Sequence, residues 1–250
     1  MPPSSSSIVL KCLLPRPMAR LRFLAAPFAG AGAAVFHDLA RALPDWIEVW
    51  ALQAPGREEQ LSEPAFTEWP AFENALAATL SDWPATPTAL YGHSLGALTA
   101  LSAARFLTAK GRNVNHVFLA ARPAPKAQSD SPFSAPPADN EALIRWLETR
   151  FGAGPASLSD PAVAAVVGPT LRADLTLLQS FETPPTGALA CPVTAIIGAR
   201  DPSMDAASAA AWADVTTGTF SVAAIEAGHY FLTTNAEPLA KFITDELSAP

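Results

Sequence analysis

Tyr91-Gly92-His93-Ser94-Leu95-Gly96-Ala97 lies near the middle of the chain, entered from the apolar pair Ala89-Leu90 and left through a helix-like stretch over residues 95–109. A serine between two glycines at a strand-to-helix turn presents its hydroxyl at the edge of a sheet. The glycines remove side chains that would collide with neighbouring backbone. The amide of Leu95, at the start of the helix, points toward an anion forming beside Ser94. Glycine-serine-glycine strings also occur in plain turns, but a strand before and a helix after single this one out as a nucleophile.

Working outward, residues 20–26, 47–52, 88–91, 115–120, 192–197 and 220–225 are short apolar runs bounded by Gly, Pro or polar residues and read as strands, most of them fully buried. Helix-like stretches over 33–43, 71–80, 95–109, 206–213 and 237–247 lie between or after them. Strands alternating with helices predict an α/β fold, a mostly parallel sheet flanked by helices on both faces. The rhythm breaks once. Residues 126–187 offer no convincing strand, only helical patterns such as 141–150 and 171–181 separated by Pro and Gly. Placed after the strand 115–120, this insertion is expected to lie over the carboxyl ends of the strands, where open α/β sheets bind ligands, and to act as a helical lid.

A nucleophilic serine needs a base and an acid that orients it. Of the four histidines, His93 sits inside the elbow, where packing beside the nucleophile is the natural reading. His37 sits early in the first helix-like stretch and His116 at the start of a strand. His229, in Ala227-Gly228-His229-Tyr230-Phe231 after the last strand, is placed to bring an imidazole over the sheet edge. Asp201 follows the strand 192–197 through Gly198-Ala199-Arg200 and precedes His229, the chain order serine, acid, histidine expected of such a hydrolase. Its rivals are Asp205, which reads as a helix N-cap, Asp214, which reads as a helix end, and Glu226, too close to His229 to aim with assurance.

The loop Pro27-Phe28-Ala29-Gly30-Ala31-Gly32 follows the strand 20–26, and its small residues let backbone amides approach a bound carbonyl. It supplies a second oxyanion donor beside Leu95, from Phe28 or Ala29, with Ala29 favoured. Gly30-Ala31-Gly32-Ala33-Ala34-Val35 also imitates a dinucleotide-binding GxGxxG, but with valine in the third glycine place and with the elbow left unexplained.

With 250 residues, half of them hydrophobic, the chain can bury a full core and is expected to form one domain over 1–250. A net charge of -7 excludes a general nucleic-acid binder, which needs a basic face for phosphates. Cys12 and Cys191 are too few and too far apart for a disulfide framework or a thiolate metal site, and no HExxH or phosphate-cradling glycine string is present, so no cofactor is expected. The apolar run 8–14 is short and interrupted by Lys11, and no stretch approaches the roughly 20 apolar residues that cross a bilayer. We therefore expect a cytoplasmic protein without membrane association. The 25 prolines fall mostly between periodic segments as punctuation.

Six strings together resemble one family, the discrete type II thioesterases that accompany polyketide synthases and nonribosomal peptide synthetases, within the α/β-hydrolase fold. They are Ala26-Pro27-Phe28-Ala29-Gly30-Ala31-Gly32, Leu52-Gln53-Ala54-Pro55-Gly56-Arg57-Glu58, the elbow, Pro169-Thr170-Leu171-Arg172-Ala173-Asp174, Gly198-Ala199-Arg200-Asp201-Pro202 and Gly228-His229-Tyr230-Phe231-Leu232. The proline-glycine-arginine-glutamate and leucine-arginine-alanine-aspartate strings are the most specific. The resemblance implies Ser94, Asp201 and His229 as catalytic triad, 126–187 as a mobile lid over an acyl pocket, and an acyl thioester on the phosphopantetheine arm of an acyl or peptidyl carrier protein as substrate, with a monomeric enzyme as its partner. Usual members often carry methionine after the serine and a further glycine in the early loop. Here Leu95 and Ala31 stand instead, a departure that bears on pocket shape and leaves the Leu95 amide in place. Carrier proteins are typically acidic, as is this chain, so only local cations such as Arg172, Lys126 or Arg122 are candidates for docking. An esterase or lipase acting on free esters, an acyltransferase or product-releasing enzyme, and a catalytically silent carrier-docking protein are the rival readings.

Overall fold

Two successive residues of a strand face opposite sides of a sheet, and the central strands of this protein are apolar on both. In β2 (Leu21–Ala26), Leu24 and Ala26 join one buried cluster while Phe23 and Ala25 join another on the opposite face. The same division runs through β3 (Ile47–Gln53), β4 (Thr88–His93) and β5 (Val114–Ala120). A sheet apolar on both faces must be covered on both. The helices α2 (Trp69–Leu80), α3 (Leu95–Ala109) and α6 (Ala206–Ala210) cover one side, and α1 (His37–Ala42) and α7 (Ala236–Ser248) the other. The computed structural model describes residues 7–125, 136–152, 158 and 160–248.

The sheet has seven strands in the order β1-β3-β2-β4-β5-β6-β7, with β6 at Val193–Gly198 and β7 at Phe220–Ile225. All pairings are parallel except that of β1 (Val9–Cys12) with β3. This is the α/β-hydrolase arrangement. The sequence reading missed β1: four residues whose alternation is broken by Lys11 carry too little periodicity, and pairing with β3 supplies what propensity does not. β7 differs from the expectation of full burial, because as an edge strand it exposes Ser221, Val222 and Ala224.

The insertion contributes α4 (Asn140–Phe151) and α5 (Pro161–Leu177), which a 3₁₀ turn extends to Ser180. The sequence reading cut this second helix at Gly168-Pro169 and retained only 171–181. The helix runs through Pro169 nonetheless, forgoing one backbone bond. Pro161–Ser180 is consequently 20 residues long and apolar enough by length and composition to cross a bilayer, which corrects the expectation that no stretch approaches that length. Here its apolar side faces protein: Ala164, Leu171, Leu175 and Leu177 are buried.

Two histidines lie buried within the sheet. His93 is pushed down to about 3, by burial first and then by the His229 charge, and His116 is pushed down to about 4 by burial. An unfolded chain takes up these two protons below about pH 6.5. The folded chain refuses them until pH 3 to 4, so stability is lost as pH falls through this window, by about 2 to 3 kcal/mol per pH unit near pH 5. Denaturant unfolding at pH 7 and pH 5 measures this slope. His116→Phe, which keeps the stacking on Phe118, should halve it, and a stability flat across the window would refute the assignment.

Candidate active site

The elbow is strained where the chemistry requires it. Ser94 has φ 54° and ψ −112°, an unfavourable conformation for a residue with a side chain, and its amide donates to the Ala120 carbonyl at 2.8 Å. The glycines are sterically required. A Cβ on Gly92 would come within 1.9 Å of the Gly96 carbonyl oxygen, and one on Gly96 within 2.0 Å of the Ala26 carbonyl oxygen. Only bare backbone lets α3 start this close to β2 and β4. Leu95, in the first turn of α3, has no intrahelical acceptor for its amide.

Asp201 and His229 leave the carboxyl ends of β6 and β7, the same sheet edge as Ser94. The His229 Nδ1 lies 2.7 Å from Asp201 Oδ2, with side chains 2% and 0% exposed. Burial alone would raise the Asp201 carboxyl, but hydrogen bonds from His229 and Ser203 outweigh it and hold Asp201 below its ordinary value. A carboxylate facing Nδ1 keeps the proton on that nitrogen and leaves Nε2 to act as a base. Among the rivals, Asp205 caps α6 in a reciprocal capping box with Ser208, and Glu226 is 85% exposed and paired with Arg200. Asp214 sits in the 3₁₀ turn Ala211–Val215.

Several groups beside the imidazole gave no sequence signal. Ser203 donates its hydroxyl and its amide to Asp201 Oδ1 at 2.6 and 2.9 Å, so the carboxylate is held from both oxygens. An Asp two residues before a serine is a turn signature, and that was the available hint. Phe151, at the end of α4, stacks on His229 with centroids 4.1 Å apart. His93 lies beside the nucleophile, as its position in the elbow suggested. Its Nε2 meets the His229 carbonyl oxygen at 2.7 Å, which makes that nitrogen the donor and leaves Nδ1 to accept from the Tyr91 hydroxyl at 2.9 Å. Neither His37, exposed on α1, nor His116, at the far end of β5 against Thr194, belongs to this cluster.

In the early loop, the Gly30 amide donates to Asp174 Oδ2 at 2.7 Å and the Ala31 amide to the Phe28 carbonyl at 3.1 Å. The loop amides in front of these, at Phe28 and Ala29, belong to residues that line the Ser94 cavity. That inner cavity, about 30 Å³ and room for a water or two, is bounded by Ser94, His229, Phe151 and the apolar side chains Leu147, Leu171, Leu175 and Leu178. A larger cavity of about 730 Å³ shares Ala29, Phe151, Leu171 and His229 with it and runs past Gly30 and Val35 to Arg200, Thr233 and Thr234. Leu95, expected to bear on pocket shape, sends its side chain into a separate small cavity with Pro27, Leu52 and Phe72. Ala31 lines the larger cavity.

A family model for the thioesterase domain matches residues 22–247. The chain belongs to the thioesterase family. Thioesterase PikA5 of Streptomyces venezuelae is 29% identical over 97% of this chain and 86% of its own length. The gramicidin S biosynthesis protein GrsT of Aneurinibacillus migulanus is 31% identical over 92% of this chain and 90% of its own. Among solved structures, the type II thioesterase BorB from the borrelidin biosynthetic cluster superposes with a TM-score of 0.85 at 28% identity, covering 98% of both chains. The RedJ thioesterase of the prodiginine pathway in Streptomyces coelicolor gives 0.81 at 29% identity over 91% of both.

The thioesterase is thus a thioester hydrolase of the α/β-hydrolase fold. Two of the three cations considered for docking have other contacts. Arg172 bonds the Pro137 carbonyl and Asn140 at 2.8 and 2.6 Å, tying α5 to the start of α4. Arg122 is 5% exposed and lines the inner cavity, where burial first and the Arg150 cation second push it down to about 9. Lys126 lies outside the described residues.

Proposed function

We propose that this thioesterase hydrolyses acyl groups from the phosphopantetheine arm of acyl or peptidyl carrier proteins, clearing stalled or misprimed chains in polyketide or nonribosomal peptide assembly, through Ser94, His229 and Asp201. The observation that carries the reading is the buried Asp201–His229 pair at 2.7 Å, whose His229 lines a cavity that Ser94 also lines. His229 Nε2 takes the Ser94 proton as Oγ bonds to the thioester carbon. Asp201 holds the tautomer and stabilises the imidazolium, and the Leu95 and Ala29 amides, or that of Phe28, receive the oxyanion. Collapse breaks the C–S bond, and the imidazolium protonates the departing sulfur. Water then gives a proton to Nε2, its oxygen attacks the acyl-serine, and the acid leaves as Ser94 regains its proton.

The two joined cavities suit such a substrate. A pantetheine arm is long and thin, matching the larger cavity between the early loop and Thr233, while the acyl group takes the inner one, between the elbow and α4 and α5, once the lid opens it beyond the room for a water or two. Residues 126–187 act as the lid in this reading, within one domain spanning 1–250. Substitution along 171–181, for example Leu175→Ala or Leu178→Ala, should shift acyl-length preference several-fold while hydrolysis of an activated acetyl ester changes less. An unchanged length profile would count against the lid.

Intact-protein mass spectrometry of several acyl-loaded carriers, incubated with the enzyme, tests the substrate and partner together. Release of free acid from carriers well above the rate on the same acyl-N-acetylcysteamine supports the proposal. Equal or better turnover of free esters would favour the esterase reading, and transfer to an alcohol or amine would favour an acyltransferase. We further propose a cytoplasmic monomer, its mass in solution checked by light scattering.

A further inference from the structure

Three segments far apart in the chain meet behind the early loop. Gly56, Arg57 and Glu58 follow β3, Gly30 and Ala31 follow β2, and Thr170 and Asp174 lie on α5. Arg57 and Asp174 are 6% and 2% exposed and form a two-pronged pair, Nη1 to Oδ2 and Nη2 to Oδ1, each 2.8 Å. Neither side chain serves the other alone. Arg57 Nη1 also donates to the Ala31 carbonyl at 3.1 Å, and Asp174 Oδ2 accepts from the Gly30 amide at 2.7 Å. Thr170 donates its hydroxyl to the Gly56 carbonyl, and Glu58 accepts from the Ala34 amide at 2.9 Å.

Phe28 anchors the start of this loop against His93 and Tyr230, and the grip holds its Gly30-Ala31 turn. Gly30 sits at φ +79°, a conformation that permits several alternatives in a glycine, and a Cβ there would touch Leu171 at 3.3 Å. An oxyanion donor is effective only if it is already aimed when charge develops, and a bound amide one peptide away fixes that aim. The grip also seats the part of α5 that carries Leu171 and Leu175 against the acyl cavity.

We infer that Arg57 and Asp174 are positioning residues for the reaction: through the Gly30 amide and the Ala31 carbonyl they hold the neighbouring Ala29 amide on the oxyanion and tie α5 to the early loop. The inference rests on the oxyanion role given above to the early loop. It assigns a working part to the two most specific strings of the sequence, which touch neither Ser94 nor His229.

A buried ion pair can be purely structural, and removal of one partner alone leaves a buried charge that can unfold the chain. The test therefore uses Asp174→Asn and the paired replacement Arg57→Met with Asp174→Leu, which fills the same space without charge. Three quantities are read for each folded variant on a p-nitrophenyl acetyl ester: kcat, KM, and affinity for a trifluoromethyl ketone that mimics the oxyanion. We expect kcat and analogue affinity to fall together by about ten- to a hundredfold, part of the 10² to 10³ worth of a whole donor, with KM within about twofold and the pH midpoint of kcat/KM unmoved. A paired variant that melts at the unsubstituted temperature and keeps kcat and analogue affinity within twofold would overturn the inference, as would loss confined to KM. The ester makes no use of a carrier. Failure of the carrier reading would instead show in the unsubstituted enzyme as ester hydrolysis without release from any acyl carrier.

Discussion

Ser94→Ala is expected to lower turnover by about 10⁶, the scale on which serine hydrolases lose activity with their nucleophile. The expectation follows from the elbow: at φ 54° the side chain is held at the end of β4, beside a cavity it shares with His229, and among the described residues no other hydroxyl side chain sits at positive φ. Residual activity would come from the oxyanion amides and from binding. The fold should be unaffected, because the strained backbone accepts alanine as readily as serine. Steady-state hydrolysis of an acyl-N-acetylcysteamine thioester, together with loss of the fluorophosphonate adduct seen by mass spectrometry, measures it. Turnover within tenfold of the unsubstituted enzyme would remove Ser94 from the chemistry.

The second large effect is on the acid. Asp201→Asn should cost on the order of 10⁴ in kcat with little loss of fold. Asparagine is nearly isosteric, and Ser203 can continue to donate to its carbonyl oxygen as it now does to Oδ1. The amide nitrogen, however, would face Nδ1 in place of Oδ2 and donate to it, driving the histidine proton to Nε2, where it blocks acceptance of the serine proton. Circular dichroism and thermal melting should match the unsubstituted protein while kcat falls. Equal turnover would mean that Asp201 serves only the loop, and Glu226 is too exposed to take its place.

Much of this was legible because parallel α/β sheets translate chain order into place. Each of Ser94, Asp201 and His229 follows a strand that ends at one edge, so an assignment of strands already brings them near each other. The 28 residues between Asp201 and His229 close to a 2.7 Å contact because β6 and β7 run side by side. The elbow needed even less: two glycines and a serine at fixed spacing specify a close approach that no other residues allow. What escaped was of two kinds. β1 and the full length of α5 carry weak or interrupted periodicity and exist through their partners, β3 in one case and the Gly30 and Gly56 loops in the other. The neighbours of the imidazole, Phe151 and Ser203, come from an insertion and a turn whose approach to His229 no local pattern encodes.

The sequence by itself determined the α/β layout, the placing of Ser94, Asp201 and His229 after successive strands, and the elbow's steric logic, since all of these follow from spacing of a few residues or from alternation of strands with helices. Only the tertiary structure decided that Arg57 and Asp174 meet. They are 117 positions apart, and a buried ion pair between a loop and a helix has no period. Its existence depends on two segments being brought together by a sheet and a helix that neither segment specifies.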